Sequence, residues 1–219
     1  MDISRRNMMA GVAAGAAVAV VGAGQAAAAL KKYKNEDFYK NGKFDAEAAK
    51  LAYYEMMTAF NYPIVERLRG ADFWALDFGV GKFTEVGMAG IFWVNNKKDN
   101  YFGHEIYLLP GQMIPEHKHV KTPDAAPKME AWQPRHGYIH IYGEGEPTAG
   151  VEERIPPSHR ECCKAKAEKK LLPGEVGELA GAEQWHWMKA GPEGAIVTEY
   201  ATYHDGNGLR FSHPQAKLG

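Results

Sequence analysis

The chain has 219 residues, with 26 basic and 27 acidic side chains, which suits one domain with a sizeable core and some remainder. A formal charge near zero gives no electrostatic case for nucleic acid, and 24 glycines with 12 prolines argue against a helical bundle. The only cysteines, Cys162 and Cys163, are adjacent, so they supply no disulfide framework and no soft-metal site, and they read as two exposed thiols in a charged loop.

The first 29 residues differ in kind from the rest. Ser4-Arg5-Arg6-Asn7-Met8-Met9 precedes an Ala/Gly/Val-rich run from Ala10 to Ala23, and Gln25 to Ala29 supplies an A-x-A cleavage site. The run is too short and too weakly apolar for a bilayer span, which takes about 20 strongly apolar residues. The paired arginines resemble a twin-arginine export signal, with Met8-Met9 where Phe-Leu is usual. The expectation is a signal peptide over residues 1–29, handled by the twin-arginine machinery and cut near Ala28 or Ala29. The mature protein would be periplasmic or otherwise extracytoplasmic, with no stable membrane insertion.

Lys31 to Lys43 is polar and reads as an extended arm. Asp45 is a good N-cap for a helix running to about Asn61, with Ala48, Leu51, Ala52, Met56, Ala59 and Phe60 on one apolar face. Pro63 ends it, so residues 30–70 form an N-terminal arm and helix. From Phe73 the pattern becomes short β-branched and aromatic segments bounded by Gly, Pro, Asn and Asp. Strands are expected at Phe73–Phe78, Phe83–Val94, Gly103–Leu109, Met113–His119, Ala131–Gln133, Gly137–Tyr142, Lys170–Leu172, Val176–Leu179, Gln184–Lys189 and Ala195–Tyr203. Glu152–Lys170 is strongly charged and reads as a surface loop. The fold class is therefore all-β, a barrel or jelly roll over residues 71–219, with a helical N-terminal extension.

Chemistry concentrates in one place. His117 and His119 follow a strand-like run and the turn Leu108-Leu109-Pro110-Gly111. Residues i and i+2 of an extended segment share a face, so both imidazoles can enter one cavity. Glu130 and His186, from neighbouring strands, would complete three nitrogens and one carboxylate oxygen. Such a set suits a borderline divalent ion: Mn, Fe, Co, Ni or Zn.

The spacing of Gly111, His117, His119, Glu130 and Gly137, with a later Pro173-Gly174 and His186, resembles the two-motif pattern of the cupins. The gap from His119 to Glu130 is longer than in the commonest cupin motif. Four ordered segments sharpen the resemblance to the D-lyxose isomerase family. Trp74-Ala75-Leu76-Asp77-Phe78-Gly79-Val80-Gly81-Lys82-Phe83 resembles its W-x-x-D-F-G-x-G-x-F entry segment. Pro115-Glu116-His117-Lys118-His119 with Lys128-Met129-Glu130 is similar to its site segment, and Gln184-Trp185-His186-Trp187 to its third-histidine segment. Thr198-Glu199-Tyr200 to His204-Asp205, with Leu209-Arg210-Phe211, resembles its closing segment. The chain departs from the family's acidic run at His204-Asp205-Gly206 and at Gly208-Leu209.

The resemblance implies a cupin jelly-roll barrel and an aldose–ketose isomerase acting on a sugar such as D-lyxose or D-mannose. It implies one divalent ion, with Mn2+ expected, on His117, His119, Glu130 and His186, and a homodimer as the assembly. It places Glu199 as catalytic base and Lys128 as the group that steadies an oxyanion, with Asp205 and Arg210 orienting sugar hydroxyls. A base of this kind is expected to have a raised pKa. Trp185 and Trp187 flank His186 on the other strand face and are expected to pack in the core. Two rival classes keep the fold: an exported sugar-binding cupin without turnover, and a metal-dependent dioxygenase. The pairing of Lys128 with Glu199 favours isomerisation over both.

Overall fold

The computed structural model describes residues 30–218; the expected signal peptide lies outside them. The arm is more structured than its polarity suggests. A single-turn 3-10 helix buries Phe38 and leads into a hairpin of β1 (Tyr39–Lys40) and β2 (Lys43–Phe44). Helix α1 (Ala46–Ala59) follows, with the Asp45 side chain accepting a hydrogen bond from the Ala48 amide as its N-cap. Its buried face is Ala49, Ala52, Tyr53, Met56 and Met57, and Leu51 is 63% exposed. The expected face is thus rotated, because Tyr53 goes inward: its hydroxyl donates to the buried Gln112 amide at 2.7 Å. A short helix, α2 (Glu66–Arg69), leads to the strands.

The strands are β3 (Phe73–Leu76), β4 (Met88–Asn96), β5 (Tyr101–Leu108), β6 (Met113–His119) and β7 (Glu130–Gly143). After helix α3 (Val151–Arg154) come β8 (Ala167–Leu171), β9 (Gly177–Glu178), β10 (His186–Ala201) and β11 (Leu209–Phe211). All the strand pairs are antiparallel. Two pairs of segments expected as separate strands are single long strands, β7 and β10. The N-terminal half of β10 pairs with β6 on one side and the C-terminal half of β7 on the other. Its C-terminal half pairs with β5 and the N-terminal half of β7. Two curled layers result, β11-β6-β10-β7-β8 and β3-β4-β5-β10-β7-β9, joined by the two strands they share. This is an all-β jelly-roll barrel.

The shared strands bend where their pairing register shifts, between Ala190 and Ala195 of β10. Gly137 (φ +64) and Gly194 (φ +81) face each other at that corner, and a Cβ on Gly137 would overlap the Gly194 carbonyl oxygen. Only glycine meets both demands, left-handed backbone and close approach.

Strand alternation sends most of the apolar residues to one of two sides of the layers. Met88, Ile106, Ile114, Trp132, Ile141 and Val197 point between the layers. Phe73, Ala89, Ile91, Tyr107 and Ile196 point outward and are covered by α1. Glu105 also points outward, where it accepts from the Tyr62 and Tyr107 hydroxyls and the Trp93 indole N–H. A buried carboxylate with three donors is well compensated, and it pins the outer side of β5. The segment expected as a charged surface loop contains α3, a 3-10 turn and most of β8. Cys163 is buried there among Tyr142, Val151, Ile155 and Trp187, which corrects the expectation of an exposed thiol; Cys162 is half-buried, and both are free. Apolar packing against β7 and β10 draws this charged segment in.

Candidate metal centre and active site

The open end of the barrel holds a cavity of about 450 Å³. His117 and His119 project into it from β6, His186 from the first residue of β10, and Glu130 from the first residue of β7. His117 and His186 are direct cross-strand partners, which brings their rings together at 4.3 Å between centroids. The four ligand atoms lie within 4.8 Å of one another, and all four side chains except the half-buried His117 are buried.

Several observations test whether these residues fit a cation. His119 Nε2, His186 Nε2 and Glu130 Oε2 are buried and make no well-formed hydrogen bond, although His186 Nε2 lies 2.8 Å from Glu130 Oε2 and His119 Nε2 3.4 Å from Glu130 Oε1. Orphaned polar atoms are costly, and a shared cation would satisfy them together. Two of the three outer nitrogens are engaged: His117 Nδ1 meets the Pro115 carbonyl and His186 Nδ1 the Gln184 carbonyl, each at 2.9 Å, while His119 Nδ1 is buried without a partner. Donation through Nδ1 leaves Nε2 as the free lone pair and fixes the ring, as metal-ligating histidines require. Burial pushes His117 well below its ordinary pKa, with His186 and His119 adding to the effect, so its ring is neutral. Burial opposes ionisation of Glu130, but Lys128 and the histidines outweigh it and hold the carboxyl well below its usual value. Burial works against a charge on His186, but the Glu130 carboxylate outweighs it and raises that ring's pKa. Three imidazole nitrogens and one carboxylate oxygen fit a borderline divalent ion.

Lys128 lies beside this set. Its ammonium donates to Glu130 Oε1 at 2.7 Å and to Glu199 Oε1, and it sits 4.5 Å from the Phe102 ring centroid. Burial would neutralise it, yet the two carboxylates hold its pKa above the ordinary value, so it stays an ammonium. Glu199, from β10, is 4% exposed. Burial works against its charge, but Lys128 outweighs that, and the contact with His104 adds to the lowering. Its pKa is therefore lowered where a raised one was expected, because the lysine beside it is charged. Glu199 rests as a carboxylate, ready to accept a proton.

The structure brings His117, His119, Lys128, Glu130, His186 and Glu199 to one cavity. It does not bring Asp205 or Arg210 there. Asp205 caps the turn Gly206–Gly208 and accepts from Thr122, and exposed Arg210 donates to the carbonyls of Asn207 and Leu209. Local loop hydrogen bonds hold both outside. His204 lines the cavity instead, held at its backbone by two bonds to the Asn95 side chain. Burial, then Lys128 and His119, push its pKa down to about 3, and its Nδ1 is buried without a partner. Trp187 packs in the core, stacked on Tyr142 at 3.5 Å with its indole N–H donating to Ala165.

Sequence reasoning missed His104, which meets Glu199 Oε2 through Nδ1 at 3.0 Å. The signal was present. Phe102, His104 and Ile106 alternate along β5 and share the cavity face, so a histidine stood among inward apolar residues.

No family model matches the chain. Among curated proteins, it is 34% identical over 141 residues to a D-lyxose/D-mannose isomerase of Thermosediminibacter oceani, which covers 64% of this chain and 76% of that protein. It is 36% identical over 126 residues to a D-lyxose ketol-isomerase of Cohnella laeviribosi, covering 58% and 68% of the two chains. Among solved structures, the L-ribose isomerase of Cellulomonas parahominis superposes with a TM-score of 0.61 at 14% identity, over 79% of this chain and 93% of that one. At that identity the likeness shows a common fold.

Proposed function

Since the chain belongs to the D-lyxose isomerase family, we propose that it interconverts an aldose and its ketose by proton transfer inside this cavity, with Glu199 as base and Lys128 as proton donor. The chain is an aldose–ketose isomerase with a sugar such as D-lyxose or D-mannose as substrate. The contiguity of four potential ligands, one lysine and one further carboxylate carries the assignment of roles.

Conversion of aldose to ketose moves one hydrogen from C2 to C1 and one from O2 to O1. The Glu199 carboxylate takes the proton from C2, and charge appears on O1 as the C1–O1 double bond opens. The Lys128 ammonium gives O1 a proton and regains one from the O2 hydroxyl, and Glu199 returns its proton to C1. The two residues are coupled. Neutralising Glu199 removes one of the carboxylates that hold Lys128 charged, so the lysine becomes a stronger acid as O1 gains charge. His117, His119, Glu130 and His186 would hold one divalent ion, Mn2+ in our reading, which supplies Lewis-acid polarisation of the sugar oxygens. Trp74, Phe92, Phe102 and Trp132 wall the cavity and exclude water from the reacting carbons.

The twin arginines support export of the folded protein with its ion already bound, and we propose a homodimer as the working form. A panel of pentoses and hexoses, supplied to metal-loaded mature protein and followed by ketose detection, tests the reaction. Turnover of D-lyxose or D-mannose is expected. Sugar binding by calorimetry with no ketose from any aldose would refute it in favour of a binding protein.

A further inference from the structure

We propose that His104 is a positioning residue for the reaction: its Nδ1–H donates to Glu199 Oε2 and, together with Lys128 on Oε1, fixes the plane of the carboxylate. This rests on the reading of Glu199 as base.

Glu199 and His104 are cross-strand partners on β10 and β5, so their backbones set the distance between the side chains. Each oxygen of Glu199 meets one partner, Lys128 at Oε1 and His104 Nδ1 at 3.0 Å from Oε2. Two donors on opposite oxygens stop the carboxylate turning about its last bond. The remaining lone pairs are left for the cavity. A base aimed in advance loses less on each turnover than one that must be reoriented.

The far side of the imidazole assigns the tautomer. His104 Nε2 is buried and has no hydrogen-bond partner. It lies over Gly90 of β4, where a Cβ would come within contact distance of it and 2.7 Å from the Trp74 ring. Phe92 and Phe102 close the other sides, with ring centroids 4.9 and 5.6 Å from that of His104. A proton on Nε2 would be stranded against aromatic carbon and backbone, and Glu199 Oε2 would then face a lone pair. A proton on Nδ1 leaves only an unfilled acceptor at Nε2 and gives Glu199 a donor. Gly90 has a specific use here, since only a residue without a side chain leaves space for the ring. On the outer face, the three donors around Glu105 hold β5 in place one residue further on.

A packing role alone would be met by any residue that fills the aromatic box, so the test compares shape with donation. His104→Leu keeps bulk and removes the donor, while His104→Asn places an amide N–H where Nδ1–H was. Expected for Leu is a fall of about ten- to a hundredfold in kcat, the range for a hydrogen bond to a charged group, with KM and bound metal near parental. Expected for Asn is recovery of most of that loss. Parental kcat in His104→Leu, or equal impairment of both variants at equal metal content, overturns the inference. If the variants fail to fold, nitrogen-15 NMR of the unaltered protein loaded with diamagnetic zinc still decides. A proton on Nδ1 of His104 supports the proposal and a proton on Nε2 refutes it. Impairment of Glu199→Gln beside a fully active His104→Leu removes only the positioning role. A fully active Glu199→Gln removes the base assignment itself.

Discussion

Replacing Glu199 by glutamine tests proton transfer while sparing the four convergent ligands. The change keeps the shape of the side chain and abolishes its basicity. Glu199 is not one of the four convergent ligands, so metal content should stay parental by elemental analysis. The amide oxygen can still accept from Lys128, while the amide nitrogen faces His104, whose ring must then present a lone pair at Nδ1. That leaves a proton on Nε2 against Gly90 and Trp74, a buried donor without a partner at about 1–3 kcal/mol. In a chain of this size, that corresponds to a fall in melting temperature of roughly 2–12 °C, since 1 kcal/mol shifts it by about 2–4 °C. Loss of the base should lower kcat by ~10²–10⁴-fold, or about 2.7–5.4 kcal/mol of transition-state stabilisation. The assay is steady-state ketose production by folded, metal-loaded variant, with KM determined separately. Parental turnover in such a preparation would place the base elsewhere.

Other consequences can be measured independently. His119→Ala should abolish most metal retention after dialysis, because it removes a buried ligand from a set of four; a variant with a full complement of ion would exclude His119 as a ligand. Arg5→Lys combined with Arg6→Lys should leave the precursor in the cytoplasm, and undiminished delivery across the membrane would rule out the twin-arginine route. Gly137→Ala should destabilise the barrel by several kcal/mol, since it combines left-handed backbone with overlap on the Gly194 carbonyl; a melting temperature unchanged within a degree would show that the corner can relax.

Much of the barrel was legible because strand alternation, turn residues and the Asp45 cap are local signals. The span Met113–His119 was read with its observed bounds, and the i, i+2 spacing of its two histidines gave their shared face. What was hidden depends on contacts made only after folding. Gly137 and the Gly191-Pro192 pair look like strand breaks, yet β7 and β10 continue past them as bent strands because both layers pair with them. The helix face carrying Leu51 and the charged stretch around Cys163 were misplaced because long-range partners overrode the local pattern. Asp205 and Arg210 carry sugar-binding chemistry in principle, but Asp205 uses it on the Thr122 hydroxyl and the Asn207 amide and Arg210 on its loop's carbonyls. His104 was passed over because its partner, Glu199, lies in a distant part of the chain.

The sharing of β7 and β10 between both layers also governs how the chain reaches its native state. β10 is the last long strand to be synthesised, and it inserts between strands made much earlier: β5 and β6 on one side and β7 on the other. Until it enters, neither layer is closed, His186 is absent from the cluster, and the edges of β5, β6 and β7 stand open to other chains. Non-local pairing of this kind is slow and leaves edges exposed to aggregation while it is incomplete. Capture of a cation by this cluster would thus be a late event, and a nascent chain stalled before residue 186 would hold three of the four candidate ligands and no barrel to keep them together.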